Sequence, residues 1–144
     1  GDEKSKYEIP AVPAYVYSGS TKPKRESTSR PDIVIGDSAN IAVIDAKYYD
    51  FAISKPGWPD LVKQFFYAKA YKKAYADKAI KNLFAVPKTD AEAPDKVVVV
   101  DLQELQMDDE FAPVNMQFLD PDDVMKCFVS RKRSKMHRTD ALNI

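Results

Sequence analysis

Two aspartates and a lysine carry the chemistry that this sequence can be read for. Asp32 follows proline in Arg30-Pro31-Asp32-Ile33-Val34-Ile35, and Asp45 and Lys47 bracket an alanine in Ile44-Asp45-Ala46-Lys47. Residues 33–35 and 41–44 are apolar runs rich in β-branched side chains, so each reads as a strand. Gly36-Asp37-Ser38-Ala39-Asn40 between them is turn chemistry, and the pair reads as a hairpin. With Ser38-Ala39 at the tip, Gly36 faces Ile41, Val34 faces Val43, and Asp32 faces Asp45. Opposed residues share a face, as do residues two apart on one strand. Asp32, Asp45 and Lys47 therefore converge on one side of a sheet.

Such a cluster is electrostatically odd. Two carboxylates about 4 Å apart near a protein surface repel by roughly 4 kcal/mol. Apolar residues on both faces of the runs suggest a buried central position, where an acid pair must share a proton, find a cation or bind a metal. Lys47 supplies one positive charge, which does not neutralise two carboxylates. A hard divalent cation such as Mg2+ would, with positions left for water and phosphate oxygens. The plainer reading is an ordinary Asp-Lys pair at a strand end, with Asp32 capping the hairpin.

The residues resemble a known family. Pro31-Asp32 followed by Asp45-Ala46-Lys47 resembles the signature of the PD-(D/E)XK nuclease superfamily. The wider strings Arg-Pro-Asp-Ile-Val-Ile, Ile-Asp-Ala-Lys-Tyr-Tyr and Lys63-Gln64-Phe65-Phe66-Tyr67 are most similar to restriction endonucleases of the LlaJI and McrC type, over residues 30 to 87. The resemblance implies that Asp32, Asp45 and the backbone carbonyl of Ala46 hold Mg2+, with Mn2+ able to substitute. It implies that Lys47 orients or activates the attacking water and stabilises charge on the phosphate. Gln64 would lie on the following helix, facing the site. Relatives often place a glutamine and a tyrosine four residues apart there; here Tyr67 follows Gln64 by three, with Tyr71 one turn on, and either tyrosine could be the counterpart. Relatives also often take a further acid from a helix before the first strand. Glu8 and Glu26 are the only acids to name, so either that acid is absent or the chain lacks an upstream part of the protein.

The elements that must position these groups come from the whole chain. Its 144 residues suffice for one domain, 1–144, and not for two. A hydrophobic content of 44% and charged content of 31% fit a soluble globular protein. The formal net charge is zero, so attraction to nucleic acid would come from local patches. The single cysteine, Cys127, excludes an internal disulfide and fits a reducing cytoplasm. Nothing resembles a signal peptide, and no apolar run approaches membrane-spanning length. The single histidine, His137, excludes a histidine-cluster zinc site.

In chain order, residues 11–17 offer a short edge strand limited by Pro13, and 18–30 a flexible basic loop with Lys22, Lys24, Arg25 and Arg30. That loop leads into Asp32, so its cations are candidates for the DNA backbone as much as for plain solvation. Tyr48, Tyr49 and Phe51 extend the second hairpin strand or its exit. Trp58-Pro59-Asp60 starts a helix expected to end near Ala79, with Leu61, Val62, Phe65 and Ala68 facing the sheet and Lys63, Lys73 and Lys81 elsewhere. On it Gln64 is either an interfacial polar residue or an aligner of Lys47, and Tyr67 and Tyr71 are either edge packing or DNA contacts. Residues 82–87 read as a strand reached by a crossover, 97–100 as a buried strand and 114–119 as another, with 120–130 a helix carrying Cys127 on its apolar side. The expected fold is therefore α/β, a central mixed sheet flanked by helices like a restriction-endonuclease core. A basic run, Arg131-Lys132-Arg133 onward to Arg138, fits either phosphate contacts or a solvated helix end.

The expected function is a Mg2+-dependent endonuclease domain acting on double-stranded DNA in a restriction system. The resemblance adds a recognition and nucleotide-hydrolysing motor domain or partner subunit, and leaves room for a dimer on DNA. A repair or junction-resolving nuclease of the same superfamily is one rival; a non-catalytic interaction module that keeps the fold is another.

Overall fold

Residues that are apolar on both faces need neighbours on both sides, and the interior of the sheet follows from that requirement. The computed structural model describes residues 9–25, 30–47, 53–90, 92–120 and 122. Its main sheet is built from β3 (Ile33–Gly36), β4 (Asn40–Ala46), β5 (Ala79–Pro87), β6 (Lys96–Val97) and β7 (Val114–Leu119), in the spatial order β3-β4-β5-β7-β6. β3 and β4 are antiparallel, β4, β5 and β7 are parallel, and β6 returns antiparallel to β7. The parallel β4–β5 pair requires a crossover, supplied by α1 (Trp58–Ala74). A mixed five-stranded sheet with a helix packed on it is the expected α/β architecture. The first two short strands, β1 (Ala14–Tyr15) and β2 (Lys24–Arg25), form a separate two-stranded ribbon.

The hairpin register is the expected one. Gly36 pairs with Ile41, Val34 with Val43 and Ile33 with Ile44. Asp37 fixes it, because its Oδ1 accepts the backbone N–H groups of Ala39 at 2.8 Å and Asn40 at 2.7 Å. Those two donors lower the pKa of Asp37 from its ordinary value. Alternation along the strands then sorts the core into two faces. Ile35, Ala42, Ile44, Leu83 and Ala85 cluster on one. On the other, Ile41 and Val43 pack with Tyr67 and Tyr71 of α1, and Phe84, Val86, Val114 and Met116 pack with Phe65.

Several expectations need correction. The helix stops at Ala74, five residues early, because Ala79 already joins the sheet through its N–H to the Ala39 carbonyl at 2.9 Å. Lys72 Nζ accompanies the stop by donating to the carbonyls of Ala76 at 3.2 Å and Lys78 at 2.9 Å. Val62 is exposed rather than sheet-facing. Phe65 and Ala68 are buried as expected, and the buried face also takes in Gln64, Tyr67, Ala70 and Tyr71, including a polar residue that an apolar stripe leaves out. The valine run 97–100 is not a buried strand: Val97 pairs with Val114 at the sheet edge, while Val100 is exposed and forms an isolated bridge with Gln106. The basic loop is interrupted by the pairing of Lys24 and Arg25 with Tyr15 and Ala14. Glu8, Glu26, Tyr48, Tyr49, Phe51, Cys127, Arg131, Lys132, Arg133 and His137 lie outside the described residues, as does the expected helix 120–130 apart from Asp120 and Asp122.

Leu83 is 1% exposed and its side chain belongs to the face away from α1. Replacing it by alanine should cost about 2–5 kcal/mol through lost burial and a residual cavity, read as a lower urea midpoint at unchanged slope.

Candidate active site

One step beyond the last paired residues of the hairpin, Asp32 comes opposite Asp45. The Asp32 carboxylate accepts the Ala46 backbone N–H on Oδ2 at 2.9 Å and lies beside the Asp45 carboxyl. The pKa of Asp32 is pushed up to about 6, first by burial of the carboxyl and then by the neighbouring Asp45 carboxyl, against the opposing pull of the Ala46 N–H and Lys47. Asp32 as a residue is exposed, but its carboxyl turns inward toward Asp45 and Ala46.

Lys47 continues the ladder beyond β4, donating its N–H to the Ala85 carbonyl at 2.8 Å. Its side chain thus lies on the same side as Asp45, and Nζ forms an ion pair with Asp45 Oδ2. The ammonium also donates to Asp60 Oδ1 at 3.0 Å and stands 5.7 Å from the ring centroid of Phe84, the residue paired with Asp45 across β4 and β5. Burial alone would lower the pKa of Lys47; the bonds and charges of Asp45 and Asp60 outweigh it and raise the value. Lys63 Nζ reaches the same oxygen of Asp60 at 3.8 Å.

The expected trio of Asp32, Asp45 and Lys47 is therefore assembled at one place. Gln64 is placed differently. It is 1% exposed, and its amide nitrogen donates to the backbone carbonyls of Val43 at 3.0 Å and Leu83 at 3.2 Å, so it ties α1 to β4 and β5. Tyr67 and Tyr71, expected among the DNA-backbone candidates, are buried and pack against Ile41 and Val43. Lys22, Lys24, Arg25 and Arg30 are exposed. The sequence alone marks Asp60 only as a helix-start acid, because its meeting with Lys47 depends on where α1 begins relative to the end of β4. Phe84 was likewise invisible as a neighbour of the site until the β4–β5 register was known.

Among the described residues no group of three or more His, Cys, Asp or Glu side chains is arranged as a metal cage. The donor chemistry nevertheless fits a hard divalent cation: two neighbouring carboxylates, with one of them bonded to the backbone at Ala46, suit an ion retaining several waters.

A carboxyl whose folded pKa stands above its ordinary value adds stability that is complete below that value, here 3.8, and is lost as pH rises through about 6. Asp32→Asn mimics the protonated form at every pH. In chelator, the melting temperature of the native chain should fall relative to Asp32→Asn as pH rises across this window; a constant difference would refute the raised pKa of Asp32.

A family model described as LlaJI restriction endonuclease matches residues 2–132. No curated protein and no solved structure matches the chain significantly. Among the described residues no helix is long and apolar enough to cross a membrane. With nearly its whole length covered by that match, and the acids and lysine of the hairpin gathered at one end of the sheet, the chain belongs to the LlaJI restriction endonuclease family, nucleases of restriction systems whose substrate is DNA.

Proposed function

We propose that the chain is a Mg2+-dependent endonuclease domain of the PD-(D/E)XK type that hydrolyses DNA phosphodiester bonds. The observation that carries this reading is the contact chain Asp32–Asp45–Lys47, with Asp32 held in a state that a divalent cation would relieve. Asp32, Asp45 and the Ala46 carbonyl would hold the ion, and Mn2+ would take its place. The cation, when bound, supplies Lewis acidity to the phosphodiester and acidifies water. Lys47 contributes a fixed positive charge beside the point where the phosphate gains negative charge in the transition state. Its side chain is 13% exposed, so that charge is less screened than one in open water. Lys22, Lys24, Arg25 and Arg30 are free of burial and available to the DNA backbone, Arg30 two residues from Asp32. Site recognition and nucleotide hydrolysis would reside in another domain or a partner subunit.

A non-catalytic module that keeps the same fold is the rival reading. Plasmid cleavage separates the two readings. In Mg2+ the intact chain should nick or linearise plasmid DNA, and Asp45→Ala and Lys47→Ala should each slow it by on the order of 100-fold or more. Equal rates in all three proteins would reject the catalytic assignment. Absence of Mn2+ binding by calorimetry would favour the module.

A further inference from the structure

Asp60 stands outside the hairpin, on the first turn of α1, yet it meets the site amine. Lys47 Nζ is bonded on one side to Asp45 and on the other to Asp60 Oδ1 at 3.0 Å. All three side chains are shielded from solvent, at 13%, 15% and 20% exposure for Lys47, Asp45 and Asp60. Lys63, a second amine near Asp60 among the described residues, is farther away at 3.8 Å and half exposed, so it competes weakly. Asp60 is set by the helix end and Asp45 by the strand end, while the lysine between them is a flexible chain. A lysine bound to Asp45 alone would act as a built-in cation on the oxygen that an external ion needs.

We propose that Asp60 is a positioning residue that shares Lys47 with Asp45, so that the amine keeps a second acid to hold when a divalent cation takes the Asp32–Asp45 pair. This rests on the metal-dependent nuclease reading above. Asp60 touches neither substrate nor reacting atoms; it acts through Lys47. Its loss should therefore matter only when Lys47 is present.

The test is a double-mutant cycle on the full chain, with Mn2+ affinity measured by calorimetry. Asp60→Asn should weaken Mn2+ binding about fivefold in the native background and less than about twofold in Lys47→Ala, where no amine remains to fall onto Asp45. In plasmid cleavage, Asp60→Asn should lose about tenfold or more, Asp60→Glu should retain most of the rate, and Lys47→Ala/Asp60→Asn should be no slower than Lys47→Ala. Equal weakening of Mn2+ binding in both backgrounds, or none in either, would overturn the proposal. If Asp45→Ala and Lys47→Ala cleave like the native chain, the nuclease reading fails while the Mn2+ cycle still decides the role of Asp60. A native chain that does not bind Mn2+ overturns both.

Discussion

Two carboxylates that would separate in water are held against each other because the hairpin gives them no alternative. The turn at Asp37 sets the β3–β4 register, the register sets Asp32 opposite Asp45, and the interior position of β4 prevents the strand from slipping. A shift of one residue would turn Ile41 and Val43 away from α1 and move Asp45 to the opposite face. The hydrophobic cost of that shift is what keeps the acids together. Hydrophobic packing thus maintains an arrangement that electrostatics alone opposes.

The same construction places positive charge. Parallel pairing of β4 with β5 obliges the chain to cross over, and the crossover helix starts near the end of β4 where Lys47 stands. α1 is anchored there by an unusual interfacial residue. Gln64 is buried, but its amide is satisfied by two main-chain carbonyls, so the polar group ties helix to sheet instead of weakening the interface. Nearby, Asn82 donates to the Ala112 carbonyl at 3.2 Å, while its buried Oδ1 has no hydrogen-bond partner among the described residues. The helix is therefore fixed by polar as well as apolar contacts, which gives Asp60 a defined position relative to Lys47.

The sheet also explains why two plausible contact residues are absent from the surface. Tyr67 and Tyr71 sit on the turns of α1 that cover Ile41 and Val43, and an aromatic ring there fills the helix–sheet gap. Their place on the same flank as Gln64 was legible; that this flank points into the core was not. Val62 shows the converse, an apolar residue left outside because the buried face is centred one position further round the helix.

What the amino-acid order determined by itself was local: period-two runs, turn residues between them, a helix start at Trp58-Pro59-Asp60, and hence the pairing of Asp32 with Asp45 and the side on which Lys47 lies. Those features depend on neighbours within a few residues or across one tight turn, where chain geometry leaves few choices. Only the tertiary structure decided the rest. That Asp60 shares Lys47, that Phe84 stands beside the amine, that Gln64 spends its amide on Val43 and Leu83, and that the helix yields to β5 at Ala79 all follow from strand order and crossover placement. These contacts join residues distant along the chain, and their partners are chosen by the packing of whole elements, which no single stretch of sequence encodes.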